Sequence, residues 1–470
     1  MQADMKPLAN LLRPVYVAAF VLFGLGACAL KAPPSAQVLR DQQLPALAGK
    51  DTWAAATNPG ESASGWVADF NDPQLNQLVS EAIANNRNLL MAASRVEQAQ
   101  ALVAVNGGSK YPALALRGVG GNSETQIASI GISWELDFWG RVRSQARAAE
   151  SQYAASQADY AWAEQSLAAT VTMSWFSALQ YSQMITRSQK IVEAQESLLT
   201  IAQQRVRTGI SPDSELEETR IALQIRKSEL KQLELARTQA ILALEVLLGR
   251  YPALALQAEQ ALPLLPPAPN AGLPANLLER RPDLVAAERR VAAAFDLQQS
   301  AEAARLPTIS ISAAITAISS DVFLISNGGS PISGLSGSIF APIFSGGKLK
   351  GQADYYTAVQ QEAAAAYGSL ALVALKEVES SLRSEQNLAE QAAFQNAQVK
   401  SKQDLVKIED VRVGVGSRDP RSALTSRQAL YAAEMSLLQL QAAQLNQRVA
   451  LLLALGGSWN EPGSVEVTSK

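Results

Sequence analysis

The side chains that most enzymes use for catalysis are scarce in this chain. Its 470 residues include no histidine and a single cysteine. Histidine-based acid–base catalysis, Ser-His-Asp triads and Cys/His metal sites are therefore excluded. Acidic pairs are present, but neither a glycine-rich phosphate loop nor a pocket-forming α/β pattern accompanies them. We therefore expect no catalytic residue, no metal ligand and no soluble cofactor, and the net charge of −3 does not suggest nucleic-acid binding.

The single cysteine lies where a covalent modification is expected. Residues 1–27 begin with a segment that carries Lys6 and Arg13, followed by an apolar stretch that is too short to span a bilayer. The stretch ends in Leu25-Gly26-Ala27-Cys28, which resembles the bacterial lipoprotein signal. The resemblance implies cleavage before Cys28, a covalent lipid on its sulfur and, because Ala29 rather than aspartate follows, retention in the outer membrane. The alternative is an ordinary signal peptide with an incidental cysteine.

The elements that follow are dominated by a strand that leads into a very long helix. Residues 126–138 alternate between an apolar and a polar face, which predicts a two-faced strand. From Arg141 the sequence is rich in Ala, Gln and Glu and has no proline before Pro212, which predicts a helix on the order of 100 Å long. Residues 333–352 repeat the pattern. We expect strand and helix to be continuous at both junctions. The apolar face of the first strand would hold Ile130, Ile132, Trp134, Leu136 and Phe138.

The whole chain repeats this organisation, because short segments of the first half recur in the same order in the second. The recurring pairs are 88–96 with 283–291, 111–112 with 306–307, 206–209 with 411–414, and 247–249 with 455–457. Each half is expected to contain a helix, two strands, a long helix and a further helix. In the first half, Asp72 is expected to cap a single helix over residues 73–105, with Pro73 at its first position.

The repeats divide the chain into six parts. The expected parts are a signal peptide (1–27), an acylated extended tether (28–65), a first structural repeat (66–252), a proline- and leucine-rich connector (253–273), a second structural repeat (274–457) and a C-terminal tail (458–470).

The strands predict a membrane barrel that no single chain can close. Each half supplies two strands of about ten residues, which can cross a bilayer when tilted. Four strands cannot form a barrel, and an open edge in lipid leaves backbone groups unpaired. The sheet must therefore be completed by other copies of the chain, and the physical argument leaves two copies and three copies both open. The predicted fold class is an α+β membrane protein with a barrel continued by an α-helical wall.

The two faces of the strands suit the two sides of such a barrel. The polar faces are rich in Ser and Thr and carry Glu135 and Asp137 near the strand–helix junction, which suits a water-filled lumen. Aromatic residues near the same junctions suit an interfacial girdle, although the core of a soluble sheet is the alternative. These aromatic residues are Trp134, Phe138, Trp139, Phe340 and Phe344.

A family resemblance extends over nearly the whole mature chain. The segments that carry it are Gly65–Leu78, Trp134–Arg143, Leu277–Ala287, the two tip segments Arg207–Glu217 and Arg412–Leu424, and Leu455-Gly456-Gly457. Together they resemble the TolC-like outer-membrane efflux ducts, in particular their lipoprotein branch of the NodT type. The resemblance implies a homotrimer with a twelve-stranded barrel, four strands per chain, and a helical tunnel through the periplasm of a Gram-negative bacterium. It also implies a periplasmic adaptor, an inner-membrane pump and export of small molecules.

The resemblance further implies roles for the tips. Arg207, Gly209, Arg412 and Gly414 match the glycine-containing tips that receive the adaptor. Family members often place an aspartate after the leucine of the last tip, whereas this chain has Thr425, which leaves the acidic gate shifted or absent. Arginine–acid pairs at the tips are expected to hold the duct shut, with solvated helix-end charges as the alternative. The gate candidates are Asp213, Glu217, Arg418, Asp419, Arg421 and Thr425, with Asp410, Glu215 and Glu218 nearby.

Two other functions remain open at this point. A helical envelope lipoprotein without a pore would act as a scaffold, and it would not need strands with a lipid-facing side. An exit duct of the same design would also serve a protein-secretion or metal-ion export system. The alternating strands favour a duct over the scaffold, but they do not identify the exported substrate.

Overall fold

A computed structural model describes residues 31–45, 52–55, 65–120, 125–320 and 332–459. Cys28 and the expected signal peptide lie outside these ranges, as does most of the expected C-terminal tail. The chain forms two compact units. The sheet unit comprises Met1–Pro45, Ser94–Ala158 and Val285–Ser369, and the helical unit comprises Ala46–Ala93, Asp159–Leu284 and Leu370–Lys470.

Helices and strands follow the predicted order twice. Over the described ranges, the helices are α1 (Ala36–Gln43), α2 (Pro73–Asn85), α3 (Arg87–Gly108), α4 (Arg141–Arg207), α5 (Asp213–Leu247), α6 (Pro274–Arg280), α7 (Pro282–Ala303), α8 (Lys348–Gly414) and α9 (Pro420–Ala454), and the strands are β1 (Ala113–Val119), β2 (Thr125–Leu136), β3 (Thr308–Ser320) and β4 (Ile332–Phe340). Corresponding helices have equal lengths: α4 and α8 have 67 residues each, and α5 and α9 have 35 each. These lengths confirm the internal duplication. Among the described helices, none is both long and apolar enough to cross a membrane.

The sheet unit contains one antiparallel sheet in the order β1-β2-β3-β4. The central pair β2–β3 places Ile130 opposite Ile315 and Trp134 opposite Ile311, while Ser133 lies opposite Ser312. Directly opposed residues point to the same side of a sheet, so one face is apolar and the other polar. The two-faced strands predicted from the alternation are therefore confirmed.

No described part of the chain covers the apolar face of the sheet. Leu116 is 80% exposed, Leu335 is 79% exposed and Ile339 is 73% exposed. On the opposite face, the Ser312 and Ser336 hydroxyls are 2.8 Å apart and form a hydrogen bond. A face with this many large exposed apolar side chains marks an interaction with another protein or with lipid.

The expected continuity of strand and helix is wrong at both junctions. β2 ends at Leu136, and Gly140 then adopts a φ of 78° before α4 begins, so Phe138 lies beyond the strand. The Asp137 carboxylate caps α4 by accepting hydrogen bonds from the backbone N–H groups of Val142, at 3.1 Å, and Arg143, at 2.8 Å. In the second half, seven residues, 341–347, separate β4 from α8. A helix cannot inherit the extended backbone of a strand, so a turn with a positive φ reorients the chain.

The expected single helix over residues 73–105 is also divided. Asp72 caps α2 as predicted, through hydrogen bonds from the N–H groups of Gln74 and Leu75. Asn86 then has an extended backbone with a ψ of 125°. Its side-chain oxygen accepts from the N–H groups of Asn88 and Leu89, and its side-chain nitrogen donates to the Leu247 carbonyl at 2.8 Å. Asparagine competes with the helix for backbone groups, so the helix restarts there.

The core of the helical unit packs around two aromatic pairs. Phe70 contacts Phe176 with ring centroids 5.1 Å apart, and Trp66 meets Phe70 edge-on at 6.4 Å. The second Asp72 carboxylate oxygen accepts from the Trp175 indole N–H at 2.7 Å. The helix cap is thereby tied to the buried centre of the unit.

The expected extended tether is wrong for the two described pieces of residues 28–65. In the sheet unit, α1 buries Leu39 against Val291 and Tyr367. In the helical unit, the Trp53 side chain is 7% exposed, and its indole N–H lies 3.1 Å from the Gly272 carbonyl. A segment without sequence periodicity is therefore held by single buried side chains and by hydrogen bonds, which no periodic pattern can reveal.

Replacing Trp53 with phenylalanine is expected to lower the free energy of unfolding of the helical unit by about 1 kcal/mol. The ring volume is largely kept, but the indole donor to the Ala271 and Gly272 carbonyls is lost. The midpoint of thermal unfolding in detergent would measure the effect. A midpoint equal to that of the unmodified protein would mean that these hydrogen bonds contribute no net stability.

Candidate functional site at the helical tips

Each half of the chain ends its long helix in the same backbone turn. After α4, Gly209 adopts a φ of 71°, and the N–H of Ile210 donates to the Arg205 carbonyl at 2.9 Å. After α8, Gly416 adopts a φ of 73°, and the N–H of Ser417 donates to the Arg412 carbonyl at 2.9 Å. This bonding pattern closes a helix through a left-handed residue, which glycine adopts without steric cost.

The turn corrects the expected equivalence of the two tips. The backbone counterpart of Gly209 is Gly416, whereas Gly414 is the last residue of α8. By the same hydrogen bonds, Arg412 corresponds to Arg205 and not to Arg207. The matched sequence stretches 206–209 and 411–414 are thus two residues out of structural register. The similar side chains before each glycine favoured the pairing of Gly209 with Gly414. The backbone conformation shows that the equivalent left-handed residue is Gly416.

A pair of alanine substitutions separates the two glycines of the second tip. Gly416→Ala is expected to destabilise the tip by about 1–2 kcal/mol, because an L-residue is strained at a positive φ. A Cβ at position 416 meets no atom within 4 Å, so the cost is one of backbone strain alone. Gly414→Ala is the matched control and is expected to be neutral or stabilising, since residue 414 is helical. Protease sensitivity of the tip would report both, and equal sensitivity of the two variants would contradict the assignment.

The two hairpins, α4–α5 and α8–α9, are joined by four charged side chains, which we call the tip cluster: Arg205, Glu215, Asp419 and Arg421. The Arg421 guanidinium binds the Asp419 carboxylate at 2.8 Å and also binds the Glu215 carboxylate. Arg205 lies 3.9 Å from Glu215 and 3.7 Å from Asp419. Residues of three helices and of the α9 cap therefore share one set of ion pairs.

The ion pairs of the tip cluster shift the pKa values of Asp419 and Arg421. Hydrogen bonds from the Arg421 guanidinium and from the Arg421 backbone N–H hold the pKa of the Asp419 carboxyl below its ordinary value. In turn, the hydrogen bond to Asp419 raises the pKa of Arg421. Asp419 is also the N-cap of α9, where its negative charge suits the helix dipole. The charged form of the cluster is thus favoured at neutral pH.

A second cluster lies within the α8–α9 hairpin and centres on Glu409, which is 5% exposed. Its carboxylate accepts from the Ser422 hydroxyl at 2.8 Å and lies 3.3 Å from the Arg412 guanidinium and 3.7 Å from Arg418. Neither Glu409 nor Arg205 was predicted from the sequence. The spacing of Glu409 and Arg412 signals a helical ion pair, but nothing in the sequence indicates that Glu409 is buried.

The remaining gate candidates make local contacts. Glu217 pairs with Arg220 on the same helix at 2.8 Å, and the Thr425 hydroxyl donates to the Arg421 carbonyl at 2.9 Å. Asp213 is the first residue of α5, where a negative charge suits a helix N-terminus on its own. Of the gate candidates, Arg421 and Asp419 therefore belong to the tip cluster. Asp213, Glu217 and Thr425 do not. Within the described ranges, no three potential ligands are grouped closely enough to hold a metal ion.

In the sheet unit, the aromatic candidates are exposed. Their exposed fractions run from 38% for Trp134 to 90% for Phe344. The Trp134 indole donates to the Lys110 carbonyl at 3.0 Å, and the Trp139 indole donates to the Pro307 carbonyl at 2.7 Å. Each indole thus has a satisfied polar group and an accessible apolar ring, which suits a membrane–water interface. The expected girdle, which includes Phe138 and Phe340, stays a prediction.

Known proteins are similar to this chain in both sequence and fold. Residues 78–250 and 273–457 match the family model of outer membrane efflux proteins. The chain is 30% identical over 441 residues to the pyoverdine export outer membrane protein OpmQ of Pseudomonas aeruginosa, which covers 88% of this chain and 92% of OpmQ. It is 29% identical over 452 residues to the cation efflux system protein CusC of Escherichia coli O6:H1, covering 92% of this chain and 98% of CusC.

Solved structures agree with the sequence comparison. A crystal structure of CusC superimposes with a TM-score of 0.74 at 26% identity, covering 87% of this chain and all of the CusC chain. The α+β fold expected for the chain, with four strands and two long helices, is therefore confirmed. The expectation of an outer-membrane efflux duct is confirmed as well, and the scaffold without a pore is not favoured. This chain belongs to the outer membrane efflux protein family.

Proposed function

We propose that the chain forms a homotrimeric exit duct, which works with a periplasmic adaptor and an inner-membrane pump to carry small molecules across the outer membrane. The observation that carries this proposal is the four-stranded sheet with an apolar and a polar face. The described residues leave its apolar face uncovered and its two edges unpaired. Lipid suits the first face and water suits the second. A pore-free scaffold has no use for either.

The direction of the strands supports closure by identical copies. All three strand pairs of the sheet are antiparallel, so the edge strands β1 and β4 run in opposite directions. Pairing β4 of one copy with β1 of the next therefore continues the antiparallel order around a ring. A closed ring removes the unpaired edges that lipid does not tolerate.

Three copies fit a duct better than two. Two copies make eight strands, and the interior of such a barrel is largely filled by its own side chains. Three copies make twelve strands, and the barrel diameter grows roughly in proportion to the number of strands. A path for solutes therefore favours the trimer.

The tips supply the gate and the docking site in this proposal. The tip cluster joins the two hairpins at rest, and the adaptor is expected to contact the tips near Arg207, Gly209, Arg412 and Gly414. An adaptor that binds the separated hairpins more tightly than the joined ones would shift the population towards an open duct. No step of this cycle needs chemistry at a catalytic residue.

The anchor and the cargo complete the proposal. Acylation of Cys28 would fix the N-terminus in the outer membrane, where several acyl chains give stable anchoring. Relatives carry names that refer to pyoverdine export and to cation efflux, so one fold accompanies different cargoes. We propose small toxic molecules, drugs among them, as the cargo, with the choice of substrate made largely by the pump.

The test is the mass and single-channel conductance of the mature protein in detergent and in a planar bilayer. A mass near three times the 50.0 kDa of one chain, less the signal peptides, is expected together with rare openings. A mass near twice that of one chain would replace the trimer with a dimer. A monomer without conductance would overturn the duct.

A further inference from the structure

Charged side chains are rare on the strands of the sheet. Across β1 to β4, the two charged residues are Arg117 on β1 and Glu135 on β2. The polar positions are otherwise occupied by serine, threonine and glutamine. Any charge selectivity of the strand wall therefore depends on these two residues.

Both residues lie on the polar face. Arg117 lies directly opposite Ser129, and its neighbour Leu116 lies opposite Ile130 on the apolar face. Glu135 lies opposite Ser310. If the apolar face meets lipid, Arg117 and Glu135 both belong to the wall of the water-filled path.

One of the two charged residues is paired with an opposite charge and the other is not. The Glu135 carboxylate accepts two hydrogen bonds from the Arg141 guanidinium, at 3.0 Å and 2.6 Å, and its charge is thereby neutralised. Arg117 has no acidic partner among the described residues. The register places Glu135 six residues from the level of Arg117, which is about 20 Å along the strand, or about two Debye lengths in 0.1 M salt.

A neighbouring copy does not supply the missing acid through its strands. β1 is an edge strand, and in the proposed ring its open edge meets β4 of the next copy. The sequence of β4, ISGLSGSIF, carries no charge. The two hairpin connections contain Glu124 and Asp321, which lie outside the described residues.

We propose that Arg117 is a specificity-determining residue of the duct, which favours passage of anions and of solutes with anionic groups. This inference rests on the proposed trimer, in which three Arg117 side chains form a ring at one depth of the lumen. Rings of arginine or lysine are the arrangement by which pores favour anions. Because ions can pass between these side chains and the charges are screened by salt, the ring biases the flux and does not block cations.

The experiment measures the permeability ratio of chloride to potassium for openings of the full-length protein under a KCl gradient. Arg117→Gln is expected to lower the ratio about twofold near 0.1 M salt, and the difference is expected to fade near 1 M. Arg117→Glu is expected to lower it further. Arg117→Lys keeps the charge and is the matched control, with a ratio equal to that of the unmodified duct.

The outcomes separate this inference from the proposed function. Channels that open normally, with the same ratio in the Gln and Glu variants as in the unmodified protein, would overturn the role of Arg117 and leave the duct intact. The same variants must first show the heat-modifiable mobility of a folded barrel. If even the unmodified trimer conducts no ions, the duct itself fails, and the inference fails with it.

Discussion

Replacing Arg421 with alanine is expected to raise the resting conductance of the trimer by up to about fivefold. The substitution removes the contact from Arg421 to Glu215, which joins the α8–α9 hairpin to the α4–α5 hairpin. It also removes the contact to Asp419, the cap of the same helix. Partly exposed ion pairs are worth about 0.2–1 kcal/mol each. The one pair that crosses between the hairpins is therefore worth up to about 1 kcal/mol, which changes a population ratio about fivefold. Single-channel recording in a planar bilayer measures the open fraction directly.

Two further variants make the conductance result specific. Arg220→Ala removes a guanidinium that pairs with Glu217 within one helix, and it is expected to leave the conductance unchanged. Arg418→Ala is expected to have a smaller effect than Arg421→Ala, because Arg418 lies 3.7 Å from Glu409 of its own hairpin and its side chain is 55% exposed. If both Arg418→Ala and Arg421→Ala conduct like the unmodified protein, neither residue belongs to the gate.

Acid should open the same gate. The lowered pKa of Asp419 comes mainly from Arg421 of the same hairpin and in part from Arg205 of the other hairpin. The contact with Arg205 therefore stabilises the joined tips above the ordinary carboxyl value of 3.8, and this stabilisation is lost as the pH falls through the lower folded value. Conductance of the unmodified duct is therefore expected to rise below about pH 3.8. Arg205→Ala, which removes the partner of Asp419 on the other hairpin, should respond less to the same change.

Replacing Glu245 with glutamine is expected to lower the free energy of unfolding by about 2–4 kcal/mol. Glu245 is fully buried, and its carboxylate accepts backbone hydrogen bonds from the N–H groups of Ala253, Leu254, Ala255 and Leu256 at 2.6–3.3 Å. A glutamine keeps one oxygen but turns an NH₂ group towards two N–H donors. The start of the connector at residue 253, including Leu254 with its positive φ of 58°, would lose the anion that organises it.

The pH dependence provides a second readout for Glu245. Burial alone would raise the pKa of this carboxyl, but the four N–H donors outweigh burial and lower it. Its contribution to stability is therefore present above the ordinary value of 4.5 and is lost as the pH falls through the lower folded value. The difference between the two proteins should accordingly close in acid.

Thermal unfolding followed by circular dichroism in detergent would test the Glu245 prediction. Glu229→Gln is the matched control, because Glu229 lies on the same helix and makes an exposed pair with Arg226 at 2.9 Å. That control is expected to change stability by less than about 0.5 kcal/mol. Equal midpoints for Glu245→Gln and Glu229→Gln would show that the buried carboxylate adds no stability to the connector.

Much of the fold could be predicted from local patterns. The alternation in β2 and β3 specified both faces of the sheet, and Asp72 with Pro73 specified the start of α2. Local patterns failed at two positions of the backbone. Asn86 divides a helix that has no proline or glycine at the break, and the left-handed conformation falls on Gly416 although Gly414 has the closer sequence match.

By itself, the sequence determined which segments are strands, which are long helices, that the pattern occurs twice, and that one face of each strand is apolar. These properties depend on residues that are close together in the chain. Only the tertiary structure decided that Arg421 meets Glu215 across 206 residues, that Glu409 is buried, and that Trp53 packs into the helical unit. Such contacts depend on how helices that are far apart in the sequence pack together, and no periodic pattern in the chain encodes this packing.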